Sequence, residues 1–204
     1  IDYECNKTHN FYALGYGNNE HTTQIILNKE LIGFAKYHNL KLISPIEATI
    51  ICLEEAYKKN YIIVAYSLAE KEYFSYLNKE NLLNKYKDIP YLNLAKAAKK
   101  WIKKYHFDNF NKLPPIRKYV DSFTKKQQIY SLASIMRLTS FHPPSDYAPG
   151  KTTTRFNHLI KGLVNNDQKY YKLTSVQKSK GTKALKHNKF DVNALKVLNK
   201  SISD

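Results

Sequence analysis

The chain has 204 residues, with 33 Lys and Arg against 17 Asp and Glu, a formal net charge of +16 and a pI of about 9.6. That length fits a single domain over residues 1–204 with a proper core; its apolar runs are too short to cross a bilayer, and two cysteines, Cys5 and Cys52, make neither a disulfide framework nor a zinc site. A field of this sign attracts polyanions, of which nucleic acid is the commonest, although a genome rich in AT also favours Lys, Asn, Ile and Tyr codons.

Residues 1–5, 10–17 (NFYALGYG) and 22–27 (TTQIIL) read as an antiparallel meander. Residues 29–38 read as a short helix and 40–43 as a short strand. Ser44-Pro45-Ile46-Glu47 then opens a helix, with Ser as N-cap, Pro in the first turn and Glu three residues after the cap. Residues 61–66 (YIIVAY) form a continuous run of β-branched and aromatic side chains, the pattern of a buried central strand. Helices are expected over 69–86, 91–105, 130–138, 153–164 and 175–200, separated by Pro114-Pro115 and by the Pro- and Gly-bearing loop 141–151. Neither an internal repeat nor a linker is visible. The fold class expected is α/β: a mixed sheet, antiparallel meander plus parallel strand, flanked by helices.

No signal peptide is visible, and the abrupt opening in a strand is compatible with a longer parent chain whose start has been removed. A reducing, intracellular compartment is expected, cytoplasmic or nucleoid-associated.

Two places carry chemistry. Asp2 and Glu4, on an apolar opening strand, point to one side because strand side chains alternate. His187 and Asp191, four positions apart on the last helix, share a face. If the two ends of the sequence meet, three carboxylates and an imidazole converge, an oxygen-rich set of the kind hard cations favour.

With those residues placed, the chain resembles the DEDD superfamily of 3′–5′ exonucleases, which have a ribonuclease H-like fold. Ile1-Asp2-Tyr3-Glu4 resembles the first motif, and Ile63-Val64-Ala65-Tyr66-Ser67-Leu68-Ala69-Glu70 the second, a central strand running into a helix that bears an acid. His187-Asn188-Lys189-Phe190-Asp191-Val192 resembles the third, and Ile129-Tyr130-Ser131-Leu132-Ala133 a helix found between the second and third. The resemblance implies two Mg²⁺ or Mn²⁺ ions about 4 Å apart, clamping the attacking water and the leaving oxygen of a phosphodiester. It casts Asp2 as the bridging ligand, Glu4, Glu70 and Asp191 as the remaining ligands, and His187 as the residue that orients or deprotonates the water.

Two departures leave roles open. Relatives that use His place it five residues before the last Asp, and those that use Tyr place it four before; here His187 takes the Tyr spacing. In the second motif Glu70 and Glu72 compete across Lys71, roughly 200° apart on a helix, and Glu70 is preferred for its distance from Ser67. Each acid also has a plainer reading: an edge-strand polar pair for Asp2 and Glu4, a first-turn carboxylate for Glu70, a surface pair for His187 and Asp191. Asp121 could be a further site acid, but a helix or turn cap is the preferred reading.

Residues 151–189 hold ten Lys or Arg with Asp167 as the only acid. Lys151 and Arg155, in a Gly-turn entering a helix, could hold a backbone phosphate or merely belong to an N-cap; it is not a P-loop. Lys172, Lys178, Lys180, Lys183 and Lys186 could steer a strand toward the metals, while Tyr170, Tyr171 and Phe156 serve either as stacking surfaces or as packing. The expected activity is metal-dependent 3′–5′ exonucleolysis of single-stranded or frayed DNA or RNA. The alternatives are an inactive ribonuclease H-like nucleic-acid-binding module and a basic structural component of a ribonucleoprotein.

Overall fold

The structure is a computed structural model that describes residues 1–18, 20–114, 130–144, 146–147 and 150–203; Asp121 lies outside these. Strands β1 (Asp2–Cys5), β2 (Phe11–Gly17) and β3 (Thr22–Ile26) form the expected antiparallel meander, and β4 (Lys41–Leu42) pairs in parallel with β3. Strands β5 (Ile63–Ala65) and β6 (Tyr91–Asn93) pair in parallel as a second ladder. The main-chain nitrogen of Ile1 donates to Val64 O at 2.8 Å, stitching the start of β1 to β5. The result is an α/β structure with antiparallel and parallel strand pairs.

Between Glu4 and Cys5 the register slips: Glu4 opposes Ala13 whereas Cys5 opposes Phe11, so Tyr12 is an extra residue in β2. Tyr12 and Ala13 consequently join the same core cluster. The Tyr12 ring stacks on Phe156 and its hydroxyl donates to Asn157 Oδ1 at 2.7 Å.

Helices α1 (Ile32–Tyr37) and α2 (Pro45–Lys58) follow the meander. The capping box at Ser44 and Glu47 is present in both directions. Tyr3, Leu14, Tyr16 and Ile25 bury against Cys52, Leu53 and Ala56 of α2. On the other side Tyr12, Ala13 and Ile26 meet Phe34 together with Phe156, Leu159 and Leu163 of α7 (Thr152–Val164). A third cluster joins α4 (Leu94–Trp101) and α6 (Leu132–Met136) to Phe190, Ala194, Leu195 and Leu198 of α8 (Ser175–Ser203). Each Leu, Ile or Phe among them, fully buried, contributes about 1.5–3 kcal/mol. At 29 residues, α8 is about 43 Å long, enough to serve the second cluster with Ala184 and the third with Phe190–Leu198 while crossing the sheet between them.

Three expected elements change. The helix over 69–86 ends early: α3 covers Ala69–Leu77, because Asn78 turns to local bonds, accepting from Leu83 N and donating to Asn84 Oδ1. The helix over 91–105 begins only at Leu94, since residues 91–93 pair with β5 and Asn93 caps the helix through Lys96 N; it runs on through a π turn (Ile102–His106) into α5 (Phe107–Lys112). The strand over 61–66 shrinks to three residues, with Tyr61 and Ile62 exposed.

Candidate metal centre

The face of β1 that carries Asp2 and Glu4 lies opposite Gly15 and Ala13 of β2. Those small residues let α8 descend onto the sheet. A Cβ at Gly15 would come within 2.4 Å of Asn188 Oδ1 and 2.7 Å of Val192 Cγ2, so any larger residue there would push both side chains of the helix aside. Gln24, paired with Gly15 from β3, donates to Leu185 O at 2.9 Å and to Asn188 Oδ1 at 3.0 Å. Asn188 is fully buried and donates onward to Asp2 Oδ2 at 2.8 Å. Sequence reasoning passed over Asn188, although a polar residue in the stripe of Val192 and Leu195 was the available signal.

This docking brings the two ends of the sequence together. One ligand atom each from Glu4, His187 and Asp191 lie within 4.8 Å of one another, a spacing that a single cation could bridge. Asp2 and Glu70 stand outside that trio but act on the group electrostatically. Burial first, then the Asp191 and Glu70 carboxylates, push Asp2 well above the ordinary carboxylate range, against the hydrogen bond from Asn188. Glu4 is raised by burial and then by Asp2 and Asp191, with the Thr152 hydroxyl and the Arg155 guanidinium opposing. Burial also raises Glu70, which accepts a hydrogen bond from Ser67 Oγ at 3.2 Å. Glu70 is buried and Glu72 exposed, so α3 turns the preferred acid inward. In a chain of +16, crowding carboxylates in a buried place costs free energy that a divalent cation would offset.

His187 Nε2 lies 3.1 Å from Asp191 Oδ2, and among the described residues its Nδ1 meets no hydrogen-bond partner. Tyr147, which no sequence pattern singles out, donates its hydroxyl to Asp191 Oδ1 at 2.8 Å. Burial, then Asp191, push its phenol well above the ordinary tyrosine range.

The cationic candidates divide. Arg155, expected beside a phosphate, is buried and donates to Asp146 O at 2.9 Å and Lys183 O at 3.4 Å. Lys151 and Lys186 are exposed; Lys178, Lys180 and Lys183 are half-buried, with Lys178 Nζ donating to Tyr171 O at 3.2 Å. Tyr171 is exposed, whereas Tyr170 and Phe156 are core residues. A second cationic face went unnoticed in the sequence: Lys96, Lys99, Lys100, Lys103 and Lys104 are all exposed, next to exposed Tyr105 and Phe107. Its signal was the spacing of buried Leu94, Ala98 and Ile102, which leaves the lysines on the opposite side. A cavity of about 330 Å³ beside Ile1, Cys52 and Val64 includes none of the site acids.

No protein-family model, no curated protein and no solved structure matches the chain. Among the described residues, no helix is long and apolar enough to cross a membrane.

Proposed function

We propose that the chain is a divalent-metal-dependent nuclease of ribonuclease H-like fold, a 3′–5′ exonuclease acting on single-stranded or frayed nucleic acid. The observation that carries this reading is the convergence of Glu4 from the first strand with His187 and Asp191 from the last helix, beside Asp2 and Glu70. The four-stranded sheet and the separate parallel β5–β6 pair support only the coarser part of that reading, an α/β fold with antiparallel and parallel strand pairs. Glu4, His187 and Asp191 would hold one ion, and Asp2 with Glu70 would serve a second. Bound ions would stabilise the charge that develops on the scissile phosphodiester. The protein's own part is to fix the carboxylates: Asn188 orients Asp2, Ser67 orients Glu70, and Thr152 orients Glu4. His187 would be a ligand as well as, or in place of, a base for the attacking water. The excess of lysine would draw the polyanionic substrate.

The test is degradation of end-labelled DNA and RNA oligonucleotides in Mn²⁺, with EDTA and Asp191→Asn as controls. Stepwise shortening of a 5′-labelled strand, absent in both controls, is the expected result. Tight, salt-sensitive binding without cleavage would replace this reading with the second one, an inactive nucleic-acid-binding module. The feature that favours that alternative is the irregular second motif, in which Glu70 and Glu72 compete across Lys71.

A further inference from the structure

We propose that Tyr147 is a positioning residue for the metal centre, holding the Asp191 carboxylate in one orientation and sheltering the His187 ring. The inference rests on the metal-dependent reading above and deepens it. Tyr147 donates to Asp191 Oδ1 at 2.8 Å while His187 Nε2 approaches Oδ2 at 3.1 Å, so the carboxylate plane is fixed from both ends. An oxygen that accepts one hydrogen bond keeps a lone pair for a cation. The Tyr147 and His187 rings lie parallel, 4.1 Å between centroids and 6° between planes, so the phenol roofs the imidazole.

The placement of Tyr147 is itself over-determined. Arg155 grips Asp146 O at 2.9 Å, one residue earlier in the chain. Phe190 meets the Tyr147 ring edge-on at 4.9 Å and stacks on Phe141, so both flanks of the loop rest on the helix that carries His187 and Asp191. Partners that hydrogen-bond a ligating carboxylate tune metal affinity, and their loss costs about 10–100-fold in affinity or activity.

The experiment is Mn²⁺ binding by titration calorimetry on the wild-type chain, Tyr147→Phe and Tyr147→Ala. It is paired with NMR of the His187 ring protons and with kcat and KM on an oligonucleotide. Tyr147→Phe should keep the ring stack, and with it the upfield position of those protons, yet bind Mn²⁺ about tenfold more weakly and lose kcat with KM little changed. Tyr147→Ala should lose the upfield shift as well. A wild-type chain that binds Mn²⁺, with Tyr147→Phe binding it equally well, overturns this inference alone. A wild-type chain that neither binds Mn²⁺ nor cleaves overturns the metal-dependent reading and this inference with it.

Discussion

Asn188 donates to Asp2 across 2.8 Å although the two residues are 186 positions apart in sequence. The same side chain accepts from Gln24, so one buried amide joins β1, β3 and α8 at the edge of the carboxylate group. Replacing it with Ala would leave the Gln24 amide and the Asp2 carboxylate short of a partner inside the protein. Asn188→Ala is expected to destabilise the fold by about 2–3 kcal/mol, measured as a lower urea midpoint with an unchanged slope. A variant as stable as the wild type would mean that the amide contributes nothing to docking.

The two acids of α3 should separate cleanly. Glu70→Gln is expected to remove nuclease activity because the buried carboxylate faces Asp2, whereas Glu72→Gln, on the exposed side, should leave activity and stability near wild type. The reverse pattern would transfer the role to Glu72. Equal mild effects would favour the inactive binding module.

Stability should depend on pH in a direction that metal reverses. Asp2, Glu4 and Glu70 all have carboxyls raised by burial, so the folded, metal-free protein holds protons that the unfolded chain releases. Stability from that source is fully present below the unfolded carboxylate range, about pH 4, and is lost as pH rises through the raised folded values. The melting temperature in EDTA is therefore expected to rise on acidification from neutral pH toward about pH 5. Saturating Mn²⁺, which binds the ionised carboxylates, should raise it most at neutral pH. An EDTA melting curve that climbs with pH over this interval would contradict the crowding of these acids.

Binding of a single-stranded oligonucleotide should weaken steeply with salt. Replacing Lys178, Lys180 and Lys183 together by Ala is expected to lower affinity and flatten the salt slope by up to about 0.7 per lost phosphate contact. Should that set change nothing while Lys99→Ala, Lys100→Ala and Lys103→Ala together do, the strand runs over α4 instead.

The imidazole in the ligand trio predicts a preference between metals. Mg²⁺ is hard and favours oxygen, whereas nitrogen ligands suit transition ions better. Mn²⁺ should therefore bind more tightly than Mg²⁺, and His187→Ala should narrow the gap. If it does not, His187 is no ligand and its role is confined to the water.

Much of this was legible in local pattern. Alternation placed Asp2 and Glu4 on one face, and helical spacing placed His187 with Asp191, because both rules act within a few residues. The Ser44 cap was legible for the same reason. Residues 91–93 were misread as helix because their strand pairing with β5 is a contact that periodicity does not encode. Tyr147 was invisible because it comes from a loop, and its partners lie about forty residues away. Arg155 was misread because charge alone does not reveal that its guanidinium is enclosed by main-chain carbonyls.

The joining of the first strand to the last helix also sets an order of events during synthesis. A nascent chain acquires its lysines steadily, yet it lacks His187, Asn188 and Asp191 until α8 has left the ribosome. Loop closure over such a separation is slow compared with local helix formation. The trio is thus complete only once α8 has docked on β1, and on the proposed reading a nascent chain would attract nucleic acid before it could cut it.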